Sequence, residues 1–323
     1  MDSTVIKVSY KRVKIAILDS GIASKHFPPK LVVDNCDRFV DCKSFEGSGV
    51  WDEDIDGHGT HTAILLLQVC PNAEVSILRV VRKQTDVLQS KAVSEAIIHA
   101  VDSGADIISM SLGWIYGHTD VEKALLYAAQ HNVLVFAATS NDGIRHPTAV
   151  AFPARAYNVI SVDSASGDGK PSSFNPPAND DTNNKGDRFT APGEEVLSAF
   201  PLELENTGIK RMTGTSFATP IAAGVAALVL EFCRQLPLGQ HSSVVDNMKK
   251  IDVMRKFLQK ECSVRRRPGE PFLFLCPWYI LSSGDQQSAP YGGAHDQSGS
   301  PRFAVASKIL LFLRTMVDPK IGT

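Results

Sequence analysis

Five short apolar runs, Val13–Leu18, Val75–Val80, Asp106–Leu112, Val133–Ala138 and Val159–Val162, alternate along the chain with stretches of helical periodicity. Lys91–Ser103 sets Ala92, Val93, Ala96, Ile97, Ala100 and Val101 on one helical face and stops at Gly104. Thr119–His131 repeats the device with Val121, Ala124, Leu125, Ala128 and Ala129, and closes at Asn132. Strands apolar on both faces must be covered on both faces, and the half-apolar helices between them supply the cover. The pattern predicts an α/β fold with a mostly parallel central sheet flanked by helices. In such sheets, binding and catalytic groups collect at the carboxyl ends of the strands.

Composition agrees with a packed protein. Of 323 residues, 43% are hydrophobic and 21% charged, which excludes collagen-like and disordered classes. A net charge of −2 gives no general attraction to nucleic acid or anionic membrane. The uncharged run Met212–Leu230 contains Thr, Ser, Gly and Pro220, which argues against a membrane span. The six cysteines are scattered without a CxxC pair, so reduced, mostly buried thiols are expected rather than a disulfide framework or a thiolate zinc site. A polar loop is expected over 167–188, a long helix from Ser216 to about Cys233, and a weaker helical pattern over Ser242–Glu261. Leu273–Ile280 reads as a strand or packing segment. Ser282–Arg302, rich in Ser, Gly, Gln and Pro, reads as disordered.

Three segments carry chemistry-bearing residues. Ile15–Gly21 is an apolar strand ending in Asp19, which taken singly suits a turn or a helix cap. Asp56-Gly-His58-Gly-Thr-His61 opens an apolar helical run. Its two histidines lie three apart, not four, and lack an adjacent Glu, so zinc ligation fits poorly. His58 suits a helix start with Gly57 and Gly59 permitting close backbone approach, and His61 suits a packed, hydrogen-bonded helix residue. Thr213–Pro220 places Ser216 at a helix start. That position can be a plain cap, or a nucleophile beside unpaired N–H groups and the positive end of the helix dipole.

Taken in order, Asp19-Ser-Gly21, Gly57-His58-Gly-Thr-His61 and Gly214-Thr-Ser216-Phe-Ala-Thr-Pro220 resemble the signatures of the subtilisin-like serine proteases, the subtilases of peptidase family S8. The resemblance spans about Val13 to Phe232. It implies a three-layer subtilisin-like fold and a serine endopeptidase using Asp19, His58 and Ser216 as a triad. Ala138-Thr-Ser140-Asn141-Asp-Gly143 is similar to the family's oxyanion segment, implying that role for Asn141. Ser109–Gly113 is similar to its substrate-aligning strand, implying peptide binding along Ser111, Leu112 and Gly113. The α/β-hydrolase order and G-x-S-x-G elbow do not fit, nor does the sedolisin pattern, which has Glu in place of His58. A catalytically silent relative that binds peptides through the same groove is the alternative from another class.

On this basis residues 13–262 are expected to form the peptidase domain, with a leader over 1–12, a packing segment over 263–281 and a disordered or accessory tail over 282–323. Two departures stand out: Ser140 replaces the family's usual Gly, and Trp114 follows Gly113 where a small residue is common. The acidic stretch Asp52–Asp56 would favour basic substrates if it lined the cleft. No cofactor is expected; the family often binds calcium, but no ligand set is evident. The residues before Val13 hold neither a signal peptide nor a long pro-segment. The expectation is therefore a cytoplasmic enzyme or a module of a larger multidomain protein, acting on polypeptides, with no nucleic-acid or membrane partner.

Overall fold

The computed structural model describes residues 10–24, 36–143, 150–177, 188–266, 269, 271–282 and 301–318. Nine strands form one sheet: β1 (Lys14–Asp19), β2 (Lys43–Ser44), β3 (Glu74–Arg79), β4 (Ile107–Met110), β5 (Leu134–Ala138), β6 (Ile160–Ala165), β7 (Arg188–Pro192), β10 (Ser263–Val264) and β11 (Phe272–Leu275). Their spatial order is β10-β11-β7-β6-β5-β4-β1-β3-β2, and every pairing is parallel except β10 with β11. A separate antiparallel hairpin joins β8 (Val196–Ala199) and β9 (Ile209–Met212). The helices are α1 (His58–Val69), α2 (Ser90–Asp102), α3 (Thr119–Gln130), α4 (Thr215–Arg234), α5 (Ser242–Met248), α6 (Ile251–Glu261), α7 (Tyr279–Ser282) and α8 (Pro301–Met316).

Strand alternation divides the core in two. In β1, Ile15 and Ile17 pack in a cluster with Ala63, Ile64 and Leu66 of α1 and Ala222, Ala223 and Ala226 of α4. Ala16 and Leu18 join Val93, Ala96 and Ile97 of α2 and Val121, Ala124 and Leu125 of α3. The sheet is thus covered on both faces, as its doubly apolar strands require. Helix α4 is the one described helix long and apolar enough to cross a bilayer, yet 78% of its apolar window is buried inside the protein.

Topology locates the site. The chain runs from β1 to β3 on one side of β1, then crosses to β4 on the other, so the windings diverge at the carboxyl end of β1. Asp19 is the last residue of that strand.

The C-terminal region is more ordered than the sequence suggests. Leu273 lies in β11, which adds to β7 with Phe272 opposite Arg188 and Phe274 opposite Thr190. The weak pattern over 242–261 resolves into α5 and α6. Within the tail expected to be disordered or accessory over 282–323, residues 301–316 form α8, which buries Val305, Ala306, Ile309, Phe312 and Leu313 in the core of α1 and α4. Those five positions share one helical stripe. Lys308, which interrupts the apolar run in sequence, lies off that stripe, and its Nζ donates to the Ile280 carbonyl at 3.0 Å. Residues 283–300 lie outside the described ones. Cys42, Cys70, Cys233, Cys262 and Cys276 are free thiols.

Candidate active site

Helix α1 starts without a cap from its own N-cap residue. Gly57 takes that position at φ 83°, where a Cβ would come within 2.4 Å of the Phe200 ring. A Cβ on Gly59 would fall 2.2 Å from the Gly21 carbonyl oxygen. Both glycines thus serve the close approach expected of them. The free N–H groups of the first turn are satisfied from elsewhere. Asp54 Oδ1 accepts from Gly57 N at 2.8 Å, Asp54 Oδ2 accepts from Thr60 N at 2.7 Å, and Ser20 Oγ accepts from Gly59 N at 2.9 Å. Ser20 Oγ in turn donates to Asp54 Oδ1 at 2.9 Å. Asp54 is only 4% exposed, so it does not line the cleft as an attractant for basic substrates; it builds the helix start. Burial pushes its carboxyl above the usual range, partly offset by the Thr60 and Gly57 hydrogen bonds.

This scaffold presses His58 against the end of β1. His58 Nδ1 lies 2.7 Å from Asp19 Oδ1, and Asp19 is 2% exposed. Asp19 also accepts from Ser20 N at 2.8 Å on Oδ1 and from Thr62 Oγ1 at 3.2 Å on Oδ2. With carboxylate and ring this close, the proton sits on Nδ1 and leaves Nε2 with its lone pair. Burial alone would make His58 a weaker base. The charge and hydrogen bond of Asp19, with Asp54 and Asp56 behind, outweigh it and hold the imidazole above its ordinary pKa.

His61, the second histidine of the same segment, has no such partner. Its Nε2 donates to the carbonyls of Val196 at 3.1 Å and Lys210 at 3.0 Å, pinning the β8–β9 hairpin to α1. Burial lowers its pKa to about 4. The two histidines therefore have opposite characters three residues apart, and neither is arranged as half of a metal site. The Phe217 ring lies between them, with centroids 5.3 Å from His58 and 4.7 Å from His61.

Ser216 lies in the first turn of α4, half-buried, next to Phe217. Pro220 stands inside that helix four residues on. Lacking an N–H, it cannot bond the Ser216 carbonyl. Ser111 Oγ donates to that carbonyl instead, at 2.7 Å, tying the end of β4 to the start of α4.

Asn141 follows β5. Its Oδ1 accepts from Thr215 N at 2.8 Å and Thr215 Oγ1 at 3.0 Å. A backbone N–H can only donate, so the amide oxygen must face Thr215, which leaves Nδ2 as the remaining donor. Ser111, Leu112, Gly113, Asn141, Thr215 and Ser216 line one open cavity of about 310 Å³. The structure thus places Asp19 at the carboxyl end of β1, His58 and Ser216 in the first turns of α1 and α4, and Ser111–Gly113 and Asn141 just after β4 and β5. Trp114 lines the same cavity, and its Nε1 donates to the Leu88 carbonyl at 3.1 Å, closing one side of it. Ser140, in the family's Gly position, has φ 155°.

Two residues at the site were missed by sequence reasoning. Asp54 carries a detectable signal, an acidic side chain three residues ahead of a glycine that opens a helix. Gln84 carries none: its Nε2 lies 3.1 Å from His58 Nδ1 only because the β3–α2 loop folds over the site.

Comparison with known proteins identifies the family. The sequence profile of the subtilase family (peptidase S8) matches residues 10–254. The major intracellular serine protease of Bacillus subtilis (strain 168) is 30% identical over 295 residues, covering 87% of this chain and 86% of that one. Thermitase of Thermoactinomyces vulgaris is 34% identical over 229 residues, covering 67% and 74%. The solved structure of the prenylagaramide maturation protease PagA superposes with a TM-score of 0.60 at 28% identity, covering 80% of this chain and 85% of that one. With the family profile running from before β1 into α6, the chain belongs to the subtilase family and is a subtilisin-like serine endopeptidase.

Proposed function

We propose that the chain hydrolyses peptide bonds through an Asp19–His58–Ser216 triad and an acyl-enzyme intermediate. Ser216 Oγ attacks the scissile carbonyl carbon while His58 Nε2 takes its proton. Asp19 holds the tautomer and stabilises the imidazolium. Asn141 Nδ2 and the Ser216 N–H donate to the oxyanion. His58 returns the proton to the leaving amine, and water repeats the sequence on the ester. The observation that carries this reading is the 2.7 Å contact between His58 Nδ1 and buried Asp19, with Gln84, 3.1 Å from that His58 nitrogen, lining the same cavity as Ser216. Every step uses protein groups, and we assign it no cofactor. The substrate is an extended polypeptide laid along Ser111, Leu112 and Gly113. Neither nucleic acid nor membrane enters the proposal, and the near-neutral charge supports that. A cytoplasmic setting, alone or as a module of a larger protein, is supported by relatives named as intracellular proteases.

The test is intact-mass spectrometry after exposure to a fluorophosphonate. The expected result is one adduct on Ser216, absent from Ser216→Ala and His58→Ala, with cleavage of casein by the unmodified protein. A folded protein that takes no adduct and cleaves nothing would replace this proposal with a silent peptide-binding groove.

A further inference from the structure

The loop from β3 to α2 is anchored at three places around the site. Val80 N donates to the Asp19 carbonyl at 3.0 Å, Gln84 N donates to Asp56 Oδ2 at 2.7 Å, and the Leu88 carbonyl accepts from Trp114 Nε1 at 3.1 Å. Held in this way, the exposed Gln84 side chain lies over the Asp19–His58 pair. Its Nε2 is 3.4 Å from Asp19 Oδ1 and 3.1 Å from His58 Nδ1. The short Nδ1–Oδ1 contact already commits the Nδ1 proton to Asp19, so the amide N–H has only the carboxylate to donate to. Gln84 also lines the cavity that holds Ser216.

We propose, resting on the triad reading above, that Gln84 is a positioning residue that weakens His58 as a base. Its amide donates to the same Asp19 oxygen that binds the imidazole, and so withdraws negative charge from it. The positive end of the amide dipole also faces the ring. Both effects disfavour the imidazolium. They oppose the charged groups that face His58 from other elements: Asp19 from β1, and Asp54 and Asp56 from the segment before α1. His61, on α1 itself, is uncharged at neutral pH. Without that opposition the three carboxylates bias the imidazole further toward its protonated form, in which it cannot accept a proton from Ser216.

Gln84→Met keeps the length and removes the donor; Gln84→Glu replaces the donor with a negative charge. The titration midpoint of His58 is expected to rise by about 0.5 pH unit in the first and about 1 pH unit or more in the second. Two readouts follow it: the acid limb of the fluorophosphonate reaction rate at Ser216, and NMR titration of histidine-labelled protein in a Ser216→Ala background, with His58 assigned by its loss in His58→Ala. Rises in that order, with unfolding midpoints unchanged, support the proposal. Midpoints within about 0.2 pH unit of the parent, or a fall in Gln84→Met, overturn it. If the unmodified protein takes no fluorophosphonate, the triad reading fails, while the NMR titration still decides the effect of Gln84 on the pair.

Discussion

His61 makes the fold acid-sensitive by an amount the structure sets. The ring is fully buried, donates through Nε2 to carbonyls on both strands of the β8–β9 hairpin, and has no partner for Nδ1. Protonating Nδ1 would place a charge with no acceptor inside the protein, so the folded-state pKa falls to about 4 from the ordinary 6.5. The unfolded chain therefore binds one more proton than the folded chain between those values. Stability from this residue is complete above the ordinary pKa and is lost as pH falls through the folded one. Integrated from neutrality to pH 4, the loss is about 3 kcal/mol, since each pH unit between the two values is worth about 1.4 kcal/mol. His61→Gln retains an N–H for the same carbonyls but does not titrate. Urea unfolding of both proteins, in a Ser216→Ala background to prevent self-digestion, should be run at intervals from pH 7 to pH 4. The difference in unfolding free energy should change by about 3 kcal/mol over that range, with the parent losing more. Other titrating groups cancel in the difference. Parallel pH dependences in the two proteins would refute the argument that burial, rather than the carbonyl contacts, governs His61.

Three further outcomes are expected. Asn141→Asp keeps the acceptor for Thr215 but turns an oxygen toward the cleft, so kcat should fall by about 10²-fold or more with little change in unfolding midpoint. Steady-state kinetics beside thermal melts check this. Ser111→Ala strands the Ser216 carbonyl that Pro220 already leaves unbonded, and should cost about 1–3 kcal/mol in denaturant unfolding and slow acylation as Ser216 shifts. Asp163 and Arg188 form a buried pair between β6 and β7 at 3.0 Å. Arg188→Ala should destabilise by about 3–5 kcal/mol, while Asp163→Leu with Arg188→Met together should lie near the parent, as read by urea midpoints.

The parts of the fold legible beforehand are those whose signal is local. The central strands β1, β3, β4 and β5 are largely apolar on both faces, β6 opens on the apolar run Val159–Val162, and α2 and α3 carry unbroken apolar stripes, so each announces itself within a dozen residues. β7 does not. Its sequence, Arg-Phe-Thr-Ala-Pro, is short and mixed, and Arg188 is tolerable there because its guanidinium reaches Asp163 on the neighbouring β6. Likewise α8 looks like an interrupted apolar run until its stripe is laid against the core.

The site divides the same way. Asp19, His58 and Ser216, with Asn141 and the Ser111–Gly113 strand, could be named from short motifs, because a strand end, a glycine-flanked helix start and a small-residue turn are each written in consecutive residues. What those residues touch was not written there. Asp54 caps α1 in concert with Ser20 from the end of β1. His61 reaches carbonyls 135 and 149 positions away, and Gln84 overhangs His58 from a loop 26 positions on. Sequence alone determined the sheet class and named the candidate reacting groups. The tertiary structure decided their basicity, because charge, burial and donor count at one atom depend on neighbours that the chain brings together only when folded.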